Sequence, residues 1–202
     1  MKKFKADDLI DKLQSDVKQL ITAADHLQQA DPVKLSYPPA EGSWSVAQCL
    51  EHLNAYSRYY LPQIDKETTI VSKDLNAWFV PGFWGDRFVK MMMPKNVYEV
   101  TNKMKALKGY RPERGLNVEG VFKEFYEHQN RLLRLLDVSR KRNMSTIKIP
   151  VSISKFVKLK LGDTFRFLIA HEQRHIMQAR NALKSLGVAT DKFPVILEAV
   201  PR

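Results

Sequence analysis

Apolar residues recur every three to four positions over four stretches of the chain, and each stretch predicts an amphipathic helix. The first covers 6–29, with Leu9, Leu13, Val17, Leu20 and Ile21 on one face and Ala24 and Leu27 continuing it; Asp31-Pro32 ends it. The second covers 46–63, capped by Ser45, with Val46, Cys49, Leu50, Leu53, Tyr56 and Tyr60 inward. The third covers 118–136, capped by Asn117, with Val121, Phe122, Phe125, Gln129, Leu132 and Leu136 as its core face. The fourth covers 163–186, with Asp163 as its cap and Gly187 just past its end. Its stripe is Phe165, Leu168, Ile169, Ile176, Ala179 and Leu183.

Between these stretches the pattern changes. Tyr37 to Gly42 is a loop by composition. Residues 67–116 form an apolar insertion between the second and third helices, with Trp78, Phe79, Phe83, Trp84 and the run Met91-Met92-Met93-Pro94. It predicts a short helix over 85–92. Three readings of the insertion stand side by side: a packing flap, a lid over the bundle mouth, and a membrane-touching segment flanked by Arg87, Lys90 and Lys95. Residues 145–161 alternate weakly, as extended chain or a short hairpin would. The tail 189–202, with Phe193, Pro194, Ile196 and Leu197, is expected to lie back on the helices.

The whole chain, 1–202, fits one domain. Hydrophobic residues at 44% and charged residues at 27% suit a globular protein. One cysteine, Cys49, excludes an intrachain disulfide framework and suits a reducing cytoplasm. The start, Met1-Lys2-Lys3-Phe4-Lys5-Ala6-Asp7-Asp8, enters a charged helix without an apolar leader segment. No run reaches the roughly 18 apolar residues that a membrane span needs, so stable insertion is not expected. The net charge of +11 admits an anionic partner. Its basic residues are dispersed and carry no nucleic-acid-binding motif, so nucleic acid is not the expected partner.

Chemistry concentrates in His171-Glu172-Gln173-Arg174-His175. Positions i and i+4 share a helix face, so both imidazoles can reach one ion. Imidazole pairs suit zinc, nickel or a similar divalent transition metal. Four amphipathic helices with a long crossover between the second and third suggest an all-α, antiparallel four-helix bundle, a fold that builds metal sites from facing helices. His52 would then join His171 and His175 in a three-histidine site, and three protein ligands with open positions is the catalytic pattern. Glu172 is the candidate general base; about 100° around the helix from His171, it is also placed to salt-bridge Arg174 or another helix. Gln178 follows His175 by one turn and can orient it. Cys49, one turn before His52, reads as a fourth ligand or as a small buried apolar residue. His26 reads as an exposed helix residue, and His128 borders the third helix's core face.

Two stretches, Gly42-Ser-Trp-Ser-Val-Ala-Gln-Cys-Leu-Glu-His-Leu53 and Phe167-Leu-Ile-Ala-His-Glu-Gln-Arg-His-Ile-Met-Gln178, resemble the DinB-like (DinB/YfiT) family. Trp44, Ser45, His52, His171, His175 and Gln178 fall on that family's pattern. The resemblance implies a four-helix bundle, often a homodimer, holding a divalent metal on the three histidines. It implies either thiol-dependent transferase chemistry, with a low-molecular-weight thiol as partner, or metal-dependent hydrolysis, each on a small-molecule substrate. It assigns no role to the insertion.

Two other readings compete. The letters H-E-x-x-H also describe a zincin-like peptidase, which needs a third ligand; only Glu198 lies well downstream. A non-enzymatic bundle that meets an anionic partner through its basic surface is the other.

Overall fold

The computed structural model describes residues 3–69, 75–93 and 105–194. In chain order its elements are β1 (Phe4–Lys5), α1 (Ala6–Gln28), α2 (Pro32–Ser36), α3 (Val46–Thr68), β2 (Trp78–Phe79) and α4 (Phe83–Met92). A 3₁₀ turn at Lys108–Tyr110 follows, then α5 (Val118–Ser139), β3 (Lys148–Val151), β4 (Ser154–Lys160) and α6 (Leu161–Ser185). The four long helices α1, α3, α5 and α6 form the expected bundle around one apolar core.

Helix ends follow local chemistry. Ser45 accepts the Gln48 N–H while Gln48 Oε1 accepts the Ser45 N–H, a complete capping box at the start of α3. Asn117 caps α5 by accepting the Gly120 N–H. The helix expected over 46–63 runs on to Thr68, past Pro62. Ile64 and Thr68 repeat the buried stripe one and two turns after Tyr60, so burial outweighs the proline. Asp31-Pro32 does more than end α1: Asp31 accepts the Val33 N–H and opens α2, with Pro32 as its first residue. The stretch 145–161 contains an antiparallel hairpin, β3 with β4.

One capping assignment is corrected. The cap of α6 is Lys160, and Asp163 is its third residue. The Asp163 carboxylate leaves its own helix end to accept the Gly82 N–H at 2.7 Å and Arg166 Nη1 at 3.2 Å. Burial raises its pKa, with Gly82 and Arg166 pulling the other way. A tertiary bond thus replaces the local cap, and it docks the insertion onto α6.

The order of helices around the bundle is not their order along the chain. Asn54, Arg58 and Asp65 of α3 meet Val121, Glu124 and Arg131 of α5, so these neighbours run parallel. Gln28 of α1 meets Tyr126 of α5, and Asp11 meets Arg140, so that pair is antiparallel. His52 and Tyr60 of α3 face His171 and Phe167 of α6, again antiparallel. A parallel α3–α5 pair requires the chain to return along the bundle between them, which is what the insertion does. It is held on the way: β2 pairs with β1, Phe79 packs on Gly162 at the start of α6, and α4 lies against α6. The packing-flap reading accounts for its buried side. The tail is described to residue 194, and Phe193 packs against the core; Ile196, Leu197 and Glu198 lie outside the described residues, as do 70–74 and 94–104.

Candidate metal centre

His52 enters the site from the second turn of α3, and His171 and His175 from adjacent turns of α6. The antiparallel packing of the two helices brings the three together. One ring nitrogen of each lies within 4.8 Å of the others, and all three residues are buried. The Nε2 atoms of His52 and His171 are 3.2 Å apart. Two nitrogens held about 2.0–2.1 Å from one tetrahedral ion stand roughly 3.3 Å apart, so this spacing fits a shared metal.

Two of the rings have fixed tautomers. His52 Nδ1 is 2.6 Å from the Tyr110 carbonyl, which can only accept, so Nδ1 carries the proton and Nε2 keeps its lone pair. His175 Nδ1–H donates to Gln178 Oε1 at 2.9 Å and leaves its Nε2 free in the same way. Bonds of this kind orient metal-ligating imidazoles. His171 Nδ1 is buried without a hydrogen-bond partner. Burial lowers the pKa of all three, reinforced at His171 by His175, His52 and Arg174 and at His175 by His52 and Arg174. Neutral imidazoles with exposed lone pairs are the state a metal requires. The donor set, its spacing and its protonation therefore fit a divalent transition ion.

Aromatic rings wall the cluster. Trp44 packs on His52 at 4.9 Å and stacks on His175 at 5.8 Å between ring centroids. Tyr56 lies 4.4 Å from both His171 and Tyr110, and Phe167 stacks on His171. Burial pushes the Tyr56 hydroxyl up to about 12, so it stays protonated. These walls lower the local dielectric around the histidines.

The other candidates fall outside the cluster. Glu172, 3% exposed, turns to α5, where its Oε1 accepts Gln129 Nε2 at 3.0 Å; its Oε2 has no hydrogen-bond partner. Burial pushes its carboxyl up to about 7 against the Gln129 bond, which lowers it. Cys49 is fully buried and burial raises its thiol pKa. His128 bonds Asn54 and lies beside Glu124, and His26 is exposed. Tyr110 was not legible in the sequence, because it acts through a backbone carbonyl. Gln129 did leave a signal: an amide in an apolar stripe needs a partner.

Comparison with known proteins bears on this arrangement. The model of the DinB superfamily matches residues 19–179. A comparison with curated protein sequences found no match. Among solved structures, the chain is similar to YfiT from Bacillus subtilis, described as a probable metal-dependent hydrolase with an unusual four-helix bundle topology. The two share 15% identity with a TM-score of 0.51, over 91% of this chain and 89% of that one. That likeness concerns the fold; the family match takes in all of α3 and α5 and α6 as far as residue 179, together with all three histidines, and the chain belongs to the DinB superfamily.

Proposed function

We propose that this chain is a metal-dependent enzyme whose divalent ion, zinc or nickel, is held by His52, His171 and His175. The observation that carries the reading is the buried convergence of those three side chains, two of them with their lone pairs pre-set by Tyr110 and Gln178. An ion bound there supplies acidification of a water or a thiol near neutral pH. The protein's own part is to fix the three imidazoles, to keep them neutral and to exclude bulk water with Trp44, Tyr56 and Phe167.

The description of YfiT supports hydrolysis as the reaction class. Transfer of a low-molecular-weight thiol to an electrophile uses the same acidification, and a substrate panel separates the two. We assign Glu172 a structural role, as the buried partner of Gln129, in place of the general-base role its position in H-E-x-x-H suggests. The zincin-like reading loses its base with that assignment.

The test is elemental analysis of tag-free protein beside the His171→Ala variant, followed by assays of ester, amide and thiol-plus-electrophile substrates with added zinc or nickel. Roughly one ion per chain, lost in the variant, with metal-dependent turnover, is the expected result. Metal content unchanged in His171→Ala overturns the site.

A further inference from the structure

The insertion buries only one side of α4. Gly85 and Val89 face the core, whereas Phe83 is 67% exposed, Trp84 58% and Met91 36%. Arg87 and Lys90 are exposed on the same helix. The acid on α4, Asp86, is held between Arg166 at 3.1 Å and Lys90 at 2.8 Å, so it does not offset the remaining positive charge. Just before the helix Val80 is 38% exposed, and its carbonyl accepts Lys160 Nζ at 2.7 Å.

Lys160 joins this face to the hairpin. Alternate residues of a strand share a face, so Phe156, Lys158 and Lys160 lie together on β4, with Lys148 paired across from Lys160. Phe156 is 99% exposed, and Ile153, in the hairpin turn, is 63% exposed. Two groups of exposed apolar side chains thus flank a set of lysines on a chain of net charge +11.

We propose that the outer face of α4 and the adjoining hairpin form a docking surface for an anionic lipid bilayer, met peripherally. Aromatic and aliphatic side chains bordered by Lys and Arg match the boundary between headgroups and acyl chains. A second copy of the chain is a poorer match, because a two-fold interface sets each patch's own positive charges against themselves. Nucleic acid is also poorer. Base stacking uses aromatic faces, whereas Val80, Met91 and Ile153 offer aliphatic surface that partitions into lipid.

The experiment uses the full chain, sedimented with vesicles of phosphatidylcholine alone or with about one third phosphatidylglycerol. Binding to the anionic vesicles, weakening as salt screens the charges and accompanied by a blue shift of tryptophan emission, is expected. The paired variants Phe83→Ser/Trp84→Ser and Arg87→Glu/Lys158→Glu change exposed residues only. Each is expected to lower partitioning by about tenfold or more, since one basic residue near such a surface is worth about fivefold. Circular dichroism confirms that both remain folded. Equal binding to neutral vesicles, absence of binding to anionic vesicles at low salt, or folded variants that partition like the parent overturns the proposal. So does a dimer that the Trp84 variant dissociates while the parent ignores vesicles, or a single-stranded oligonucleotide bound in their place.

Discussion

Gln178 Oε1 accepts the Nδ1–H of His175 at 2.9 Å, so the orientation of this ring is set from within α6, three residues on. Gln178→Ala should leave the fold intact and weaken zinc or nickel binding by about 10–100-fold, the usual effect of removing such a partner. Gln178→Glu retains an acceptor and should retain most of the affinity. Competition against a coloured chelator measures both; equal affinity in Gln178→Ala would show that the ring is oriented by other contacts, Trp44 among them.

Metal should also stabilise the fold, because the unfolded chain does not hold the three histidines together. With free ion at a hundred times its dissociation constant, the gain is about 2.7 kcal/mol. For a chain of this size that raises the melting temperature by roughly 5–10 °C. His171→Ala should show no comparable rise. A variant that gains as much as the parent would place the ion elsewhere.

Glu172 predicts a pH dependence of stability. Burial pushes its carboxyl up to about 7 in the fold, from an ordinary value of 4.5 in the unfolded chain. A raised acid pKa means that the folded state keeps a proton the unfolded state has lost. This contribution is therefore favourable below about 4.5 and is lost as pH rises to about 7. The loss is on the order of 3 kcal/mol. Glu172→Gln stays neutral throughout, and its amide can donate to the unpartnered Gln129 Oε1. Denaturant titrations across that window should show the parent losing stability relative to the variant as pH rises; parallel curves would refute the buried-carboxyl account. Turnover should survive the substitution, whereas a general base predicts a fall of roughly 10²–10⁴-fold.

Gly85 has no room for a side chain. A methyl group there would stand 2.2 Å from the Asp163 carboxyl carbon. Gly85→Ala should cost about 2 kcal/mol, typical of overpacking a filled core. Asp163→Ala alone should also destabilise, by orphaning the Gly82 N–H and leaving Arg166 with Asp86 as its carboxylate partner. Together the two changes should cost less than the sum of their separate costs, since the second removes the carboxyl group the first strikes and leaves only the Cβ of residue 163 in its way. Strict additivity would mean that the two residues do not share the contact.

The bundle and the His171–His175 pair were legible because both depend on spacing within one helix, whereas His52, on another helix, was linked to them only through the bundle and the family pattern. His171 and His175 are a turn apart, and the apolar stripes mark which sides face inward. What escaped the sequence depends on contacts between distant segments. Asp163 satisfies every local rule for a cap, yet Gly82 claims its carboxylate. Glu172 follows His171 in a familiar motif, but its direction is decided by where α5 lies. Tyr110 positions His52 through a carbonyl that any residue possesses. Neighbour order in the bundle was equally hidden, since the stripe on α3 is the same whichever helix covers it.

The parallel run of α3 and α5 sets a lower limit on loop deletion. Returning along a helix of 23 residues, about 34 Å at 1.5 Å per residue, takes roughly ten residues of extended chain. The connection, residues 69–117, has 49. A deletion series that spares Phe79, Gly82 and Val89, which pack into the core or hold Asp163, should therefore find a permissive range and then a cliff, below which α5 cannot reach its place beside α3. The surplus outside those contacts is chain that sequence change can rebuild without altering the bundle. Tyr110, which fixes His52, and α4, which turns an aromatic face to solvent, both lie in this stretch, so variation here can retune the metal site or the surface while the four long helices stay as they are.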